Sequence, residues 1–332
     1  MKIKDFVEGE SVTTALLVKS AIIRYTRPPG NKPYLEAILT DGSDDIKAVD
    51  WNYGTKKPPE KNAIADITAD VGSYMNAKQL TIKSIARNTA LPVSAFAPQG
   101  DVNYNVYSQY VHDLLNSIDH KMLQQLTRDI VESSWNTFRE VPAANSIHHA
   151  YVHGLMKHSV DVTLKARAIA SMIPECDYNL VTAGALVHDI GKIITYRLNG
   201  AVIEFTEAGN MFEHIVEGVK YTERFRTDEN AKLLNLLQHI ITSHHGRLEY
   251  GSPMEPKFLE AHIVCAADGI DAKVATILEA NAKSKIEDVY TDKIWVLGNK
   301  PQFTQTYVND ILSDAINWDE EHPLDPLEVD GE

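Results

Sequence analysis

Residues 180–192 read LVTAGALVHDIGK, a run of apolar and small side chains that closes on His188, Asp189, Gly191 and Lys192. Val181, Ala185 and His188 recur at three- and four-residue steps, the spacing of one helix face, so the histidine shares the stripe that faces a core. The pattern repeats on both sides of this stretch. His158 continues Ile147, Tyr151 and Leu155, His244 extends Leu233, Leu237, Ile240 and Ile241, and Asp268 follows Ala261, Val264 and Cys265. Four predicted helices therefore each deliver an ionisable side chain into one interior.

Taken singly, a histidine on an apolar face is more often a hydrogen-bonded core residue than a ligand, by roughly three to one. The aspartates are harder to dismiss in that way. An ionised Asp189 or Asp268 away from water costs several kcal/mol unless a cation or hydrogen-bond donors offset it. A shared divalent metal would satisfy all of these groups together. Imidazole combined with carboxylate suits Mn, Fe, Co, Ni or Zn better than Mg or Ca, whose sites are built from oxygen. No Gly-rich phosphate loop, dinucleotide fingerprint or nucleophile elbow competes as an active site.

Toward the N-terminus the period changes from helix to strand. Val12–Ile23, Tyr34–Leu39, Ile46–Trp51, Ile64–Val71 and Gln79–Ile85 are short runs rich in β-branched and aromatic residues. Turn clusters such as Arg27-Pro28-Pro29-Gly30-Asn31 and Asp41-Gly42-Ser43 separate them. Five strands in this space predict an OB-fold-like β-barrel over residues 1–91. Such barrels hold single strands by stacking bases on aromatics beside a basic groove. Arg24, Tyr25, Tyr34 and Trp51 are the candidates, with Arg27, Lys32, Tyr53, Lys56 and Lys57 nearby; for any one aromatic, barrel packing is an equally good reading. Residues 92–102, with two prolines and a glycine, read as a linker.

Beyond it the reading is all-α over residues 103–317. Helices are expected around Tyr107–Leu115 and Leu123–Val131, then over Ile147–Ile173, Asn179–His188, Met211–Phe225, Ala231–His245, Pro256–Ala280 and Thr304–Ile316. A small hairpin over Ile194–Phe205 turns at Asn199-Gly200. The fold class is thus α+β in two domains, followed by an acidic tail over 318–332. The net charge of −14 is unevenly spread: residues 1–100 hold 13 Lys and Arg against 11 Asp and Glu, residues 101–332 hold 19 against 35. The acidity does not burden the barrel, so a nucleic-acid partner stays open. Two distant cysteines, Cys176 and Cys265, fit a reducing cytoplasm. The opening MKIKDFVEGE carries no apolar segment of a secretory signal, and no run reaches the ~18 apolar residues that a membrane span needs.

The ordered set His158, His188-Asp189, His214, His244-His245 and Asp268 resembles the HD superfamily of metal-dependent phosphohydrolases. More narrowly, HHAYVHGLMKHS (148–159), LVTAGALVHDIGKI (180–193), SHHGRLEYGSP (243–253) and GIDAK (269–273) are similar to the YhaM-type 3′-5′ exoribonucleases, in which an OB-fold precedes the HD domain. The resemblance implies a core metal site of His158, His188, Asp189 and Asp268. It implies a second site of His214, His244 and His245, bridged by Asp189. Lys192 would lie near the substrate phosphate, with a solvated helix-end lysine as the plain alternative. His148 and His149 would contact the scissile phosphate or product, though a surface pair without a role is nearly as good a reading. Three positions depart from the family: Glu213 and His153 stand where glycine is usual, and Cys265 where a histidine is expected.

The function expected is a 3′-5′ exonuclease that hydrolyses single-stranded RNA, or DNA, to nucleoside 5′-monophosphates with one or two divalent transition metals, Mn ahead of Fe or Co. Asp189 and Lys192 are its catalytic residues. A cytoplasmic protein with no membrane partner is expected, and a homo-oligomer is left open. Two alternatives stand: an HD phosphohydrolase of a nucleotide or cyclic-nucleotide signal, and an inactive nucleic-acid-binding protein.

Overall fold

The computed structural model describes residues 2–321 apart from 76, 99, 101, 145–148, 200 and 201. Strands β1 (Ser11–Tyr25), β2 (Pro33–Thr40), β3 (Asp45–Asp50), β4 (Ile64–Tyr74) and β5 (Ala77–Asn88) form a closed barrel in the order β1-β2-β3-β5-β4. Only the β3–β5 pairing is parallel. The long β1 makes closure possible. It pairs with β4 through Ser11–Leu17 and with β2 through Leu17–Tyr25, with a register shift at Val18–Ser20. A bulge of this kind bends and twists a strand enough to serve two neighbours. Alternation then sends Val12, Leu16, Ala37, Leu39, Ile67 and Leu80 inward. One end is sealed by Phe6 after the 3-10 turn Ile3–Asp5, and the Asp41 carboxylate accepts the Ile3, Ser43 and Asp44 amides.

The segment expected as a linker has structure of its own. Its 3-10 turn Val93–Phe96 buries Phe96 against Leu17 and Ile64 of the barrel and Val202 of the hairpin described below. The barrel is therefore braced, with Lys61 bonding Glu204 at 2.6 Å and Asn62 donating to the Asn199 carbonyl at 2.8 Å.

The helices are α1 (Tyr104–Asn116), α2 (Lys121–Glu132), α3 (Trp135–Glu140), α4 (Gly154–Ala170), α5 (Tyr178–Val187), α6 (Lys192–Thr195), α7 (Glu207–Glu223), α8 (Ala231–Ser243), α9 (Leu259–Lys283) and α10 (Gln305–Glu321). The hairpin β6 (Tyr196–Asn199) and β7 (Val202–Phe205) lies between α6 and α7, its turn falling outside the described residues. Side chains at Asn103, Asp177 and Thr206 accept amide hydrogen bonds at the starts of α1, α5 and α7. Helix α5 is buried from Leu180 to Val187 and forms the centre of the helical core.

Two expectations need correction. Helix α4 starts at Gly154, not near Ile147: His149 and His153 have φ of 60° and 71°, which breaks the helix and leaves Tyr151 in the turn between them. Helix α3 escaped notice because its six residues bury only Phe138 and show no period. The chain divides into two compact units, Met1–Asp268 and Gly269–Glu332, the boundary falling inside α9. The second unit is not purely helical. Bridges Tyr290–Phe303 and Ile294–Lys300 close a loop before α10, and Thr304 donates to the Asp288 carbonyl at its base. Among the described residues no helix is long and apolar enough to cross a membrane.

Candidate metal centre

Five helices deliver the predicted ligands. His158 lies on α4, His188 and Asp189 just past the end of α5, His214 on α7, His244 and His245 after α8, and Asp268 on α9. The turn after α5 is held by Ile190 N–H to the Val187 carbonyl and Lys192 N–H to that of Asp189. Gly191 is required there: a Cβ would overlap the His214 carbonyl oxygen and lie 2.5 Å from the Gly218 nitrogen. Close approach of the α7 backbone brings His214 beside Asp189.

Asp189 is the hub and is buried, as are His158, His188 and His244. Its Oδ2 lies 3.2 Å from His158 Nε2 and 3.5 Å from His188 Nε2. Asp268 Oδ1 stands 3.2 Å from His158 Nε2 and 3.8 Å from His188 Nε2, and the two imidazole Nε2 atoms are 3.2 Å apart. The other oxygen, Oδ1, lies 3.3 Å from His214 Nε2 and 3.5 Å from His244 Nε2. His245 joins His214 and His244 in a group whose ligand atoms all lie within 4.8 Å of one another. The two carboxylate oxygens thus face two different sets of imidazoles.

Tautomers follow from the backbone. His188 Nδ1–H donates to the Ala185 carbonyl at 2.7 Å, His244 Nδ1–H to Ile241 at 2.8 Å and His245 Nδ1–H to Tyr250 at 2.9 Å. With the proton on Nδ1, each neutral ring presents an Nε2 lone pair. Burial pushes His188 and His245 below the ordinary histidine value and takes His244 down to about 3, so these rings are neutral at pH 7. Burial opposes ionisation of Asp189 and Asp268 as well. The charge of Lys192 outweighs it for Asp189 and a hydrogen bond with His158 does so for Asp268, and both carboxyls are held well below the usual range.

These donors fit a transition-metal cation. Asp189 Oδ1, His214 Nε2 and His244 Nε2 are buried with no hydrogen-bond partner. Such groups cost about 1–3 kcal/mol each when left unsatisfied. Lone pairs directed at one another need a cation between them. Two donors each ~2.1 Å from a tetrahedral metal lie about 3.4 Å apart, the spacing found around Asp189.

Lys192, 13% exposed, places its ammonium 2.6 Å from Asp189 Oδ2. His149 is 4% exposed and its ring centroid is 5.4 Å from that of His158, whereas His148 lies outside the described residues. Glu213 has φ 57° and ψ 170° and kinks α7. That region and the left-handed conformation of His153 both favour glycine, so Glu213 and His153 each hold a strained backbone. Cys265 is half-buried, and a Cβ on Gly246 would lie 2.7 Å from its sulfur. Sequence reasoning missed Tyr196, whose hydroxyl is pushed up by burial and by Asp189. Its position at the start of a hairpin strand carries no signal of this proximity.

The predicted strand-binding residues lie on the barrel. The rings of Tyr34 and Trp51 are 4.6 Å apart, and Trp51 is half exposed. Arg24 sits opposite Tyr34 in the β1–β2 register and Tyr25 opposite Pro33. Arg24 is exposed and bonds Glu36, which also pairs with Lys47, so part of its charge is engaged.

Residues 155–273, about a third of the chain, match the family described as HD domain. Solved structures similar to the chain include the second OB-fold domain of replication protein A from Methanococcus maripaludis, at 19% identity over 27% of this chain and 96% of that one, with a TM-score of 0.24. A replication protein A heterotrimer bound to ssDNA is similar at 14% identity over 32% and 72%, with a TM-score of 0.19. Asparaginyl-tRNA synthetase of Entamoeba histolytica in complex with asparaginyl-adenylate follows at 15% over 42% and 34%, with a TM-score of 0.23. Scores this low carry no weight on function.

Proposed function

We propose that this protein, with an HD domain at residues 155–273, is a metal-dependent 3′-5′ exonuclease. It hydrolyses single-stranded RNA, with DNA as a second substrate, and releases nucleoside 5′-monophosphates. The observation that carries the hydrolase reading is the set of three buried, unpartnered atoms, Asp189 Oδ1, His214 Nε2 and His244 Nε2. An inactive binding protein gains nothing from keeping them. His158, His188, Asp189 and Asp268 would hold one cation, Mn ahead of Fe or Co, and His214, His244 and His245, with Asp189, would hold a second. Bound there, such a cation supplies Lewis acidity toward a phosphodiester and a hydroxide nucleophile at neutral pH.

The chain's own groups do the rest. Imidazoles locked with Nδ1–H on backbone carbonyls keep their Nε2 lone pairs aimed without reorganisation. Lys192, within reach of the same carboxylate, stabilises negative charge that grows on the phosphate. His149, beside His158, contacts the phosphate. Residues 103–317 cut, and the barrel over residues 1–91 holds the strand on Tyr25, Tyr34, Trp51 and Arg24. Incubating the protein and Mn²⁺ with 5′-end-labelled single-stranded RNA should give a ladder of shortening products and free 5′-monophosphates. Turnover of free mono- or cyclic nucleotides with intact RNA would instead select the signal hydrolase, and no turnover of either would reject the enzyme.

A further inference from the structure

We infer that the loop joining α9 to α10 is a second contact surface for a single-stranded nucleic acid, in addition to the barrel. The inference rests on the proposed function only in taking a single strand as what this chain handles. The loop sets Tyr290, Trp295 and Phe303 among Lys285, Lys293 and Lys300, and Tyr307 follows at the start of α10. From Lys283 to Tyr307 there are four lysines against the three acids Glu287, Asp288 and Asp292, whereas residues 101–332 hold 19 Lys and Arg against 35 Asp and Glu.

The loop is a built frame. Bridges Tyr290–Phe303 and Ile294–Lys300 pair its two arms, the Thr291 N–H donates to the Gln302 carbonyl at 2.9 Å and the Thr304 N–H to the Val289 carbonyl at 3.0 Å. Thr291 and Thr304 are buried, so alternation along each arm turns Tyr290 and Phe303 outward. The ring centroids of Tyr290 and Phe303 are 4.7 Å apart at 30°, and those of Phe303 and Tyr307 are 5.4 Å apart at 16°. Tyr290 and Phe303 are nonetheless half exposed, and Trp295, on the 3-10 turn Trp295–Leu297 at the loop's tip, is 79% exposed. Aromatics held in place by a hydrogen-bonded frame and still open to water make a platform for stacking bases.

Charge selects the partner. Lys285, Lys293 and Lys300 are exposed and, among the described residues, form no ion pair. A single strand meets such a surface with phosphates for the ammonium groups and bases for the rings. A second copy of this chain is the poorer occupant, because a two-fold contact sets the patch against itself and brings lysine against lysine.

The test uses the full chain and a fluorescein-labelled single-stranded RNA with hydrolysis-resistant phosphorothioate linkages, about 20 nucleotides long so that it exceeds the site of one barrel. Fluorescence anisotropy over a range of salt reads affinity, sedimentation reads oligomeric state and melting temperature checks folding. Trp295→Ala and Phe303→Leu should each weaken binding about 5- to 100-fold. Lys293→Gln combined with Lys300→Gln should weaken binding, lower the salt slope by about 0.7 for each lysine and leave the melting temperature unchanged. An iodouridine-substituted strand irradiated on the wild-type chain should crosslink to a peptide that holds Tyr290, Trp295 or Phe303. Wild-type affinity and salt slope in all these variants would overturn the inference. So would variants that lose self-association yet bind RNA normally, which would make the surface an interface between copies. A chain that binds the strand here and cuts no RNA would uphold the inference and reject the exonuclease, whereas a wild-type chain that binds no single strand would reject both.

Discussion

At the scale of single residues, Asp189 is the centre of the proposed site, because each of its oxygens faces a separate pair of imidazoles. Asp189→Ala should abolish hydrolysis and bound metal while leaving helix content intact, measured by turnover, metal analysis and circular dichroism; retained turnover would remove the cluster from catalysis. Lys192→Ala should behave differently. It removes a cation, not a ligand, so metal should stay while the rate falls by a factor on the order of 10² to 10³. A mutant with full metal and full turnover would leave Lys192 only its bond to Asp189. Glu213 offers a stability test. Its φ of 57° with ψ of 170° stores about 1–3 kcal/mol, against which glycine's extra unfolded-chain entropy costs about 0.5–1 kcal/mol. Glu213→Gly should therefore raise the melting temperature. A drop would mean that the carboxylate, 3.9 Å from His214 Nδ1, contributes more than the strain removes.

At the scale of elements, α8 shows how burial makes a helix sensitive to pH. His239 is pushed below the ordinary histidine value by burial and then by the charge of Lys257, and its Nε2 accepts the Lys257 N–H at 3.1 Å. Its pKa is depressed on folding, so the unfolded chain binds the proton more readily. The stabilisation is complete above the unfolded value near 6.5 and is lost as pH falls through the folded one. In metal-free protein, urea unfolding between pH 7.5 and 5 should show stability falling with pH, and falling less steeply in His239→Gln. Equal slopes would show that other groups carry the whole effect. The start of α5 offers a second lever of ordinary size. Asp177 accepts the Leu180 N–H at 2.9 Å, and Asp177→Ala should cost about 1 kcal/mol.

At the scale of the whole molecule, the proposed division of labour assigns strand holding to the barrel and cutting to the helices. Removing the barrel outright would uncover Phe96 and Val202, which pack on Leu17 and Ile64, so point changes test it more cleanly. Trp51→Ala with Tyr34→Ala should weaken binding of a long single strand by about 1–3 kcal/mol per stacked base, while hydrolysis of bis-nitrophenyl phosphate continues unchanged. Filter binding and the two assays separate these effects. Equal losses on both substrates would make the aromatic pair structural.

The sequence by itself determined most of the elements and named the candidate ligands. Alternation and turn residues marked the five strands within a few residues, and apolar stripes ending in His188, His244 and Asp268 marked the polar interior, whereas the stripe read before His158 lies on α4 only from Leu155. These features are local, because a period of two or of 3.6 residues is written into neighbouring side chains. Tertiary structure alone decided how distant groups meet. The closure of β1 onto β4 depends on the register shift within β1, the apposition of Asp189 Oδ1 to His214 and His244 on backbone approach at Gly191, and the start of α4 on left-handed residues at 149 and 153. A broken helix start has no period to detect. The position of a ring nitrogen is set by the packing of several helices at once, which no single stretch of the chain encodes.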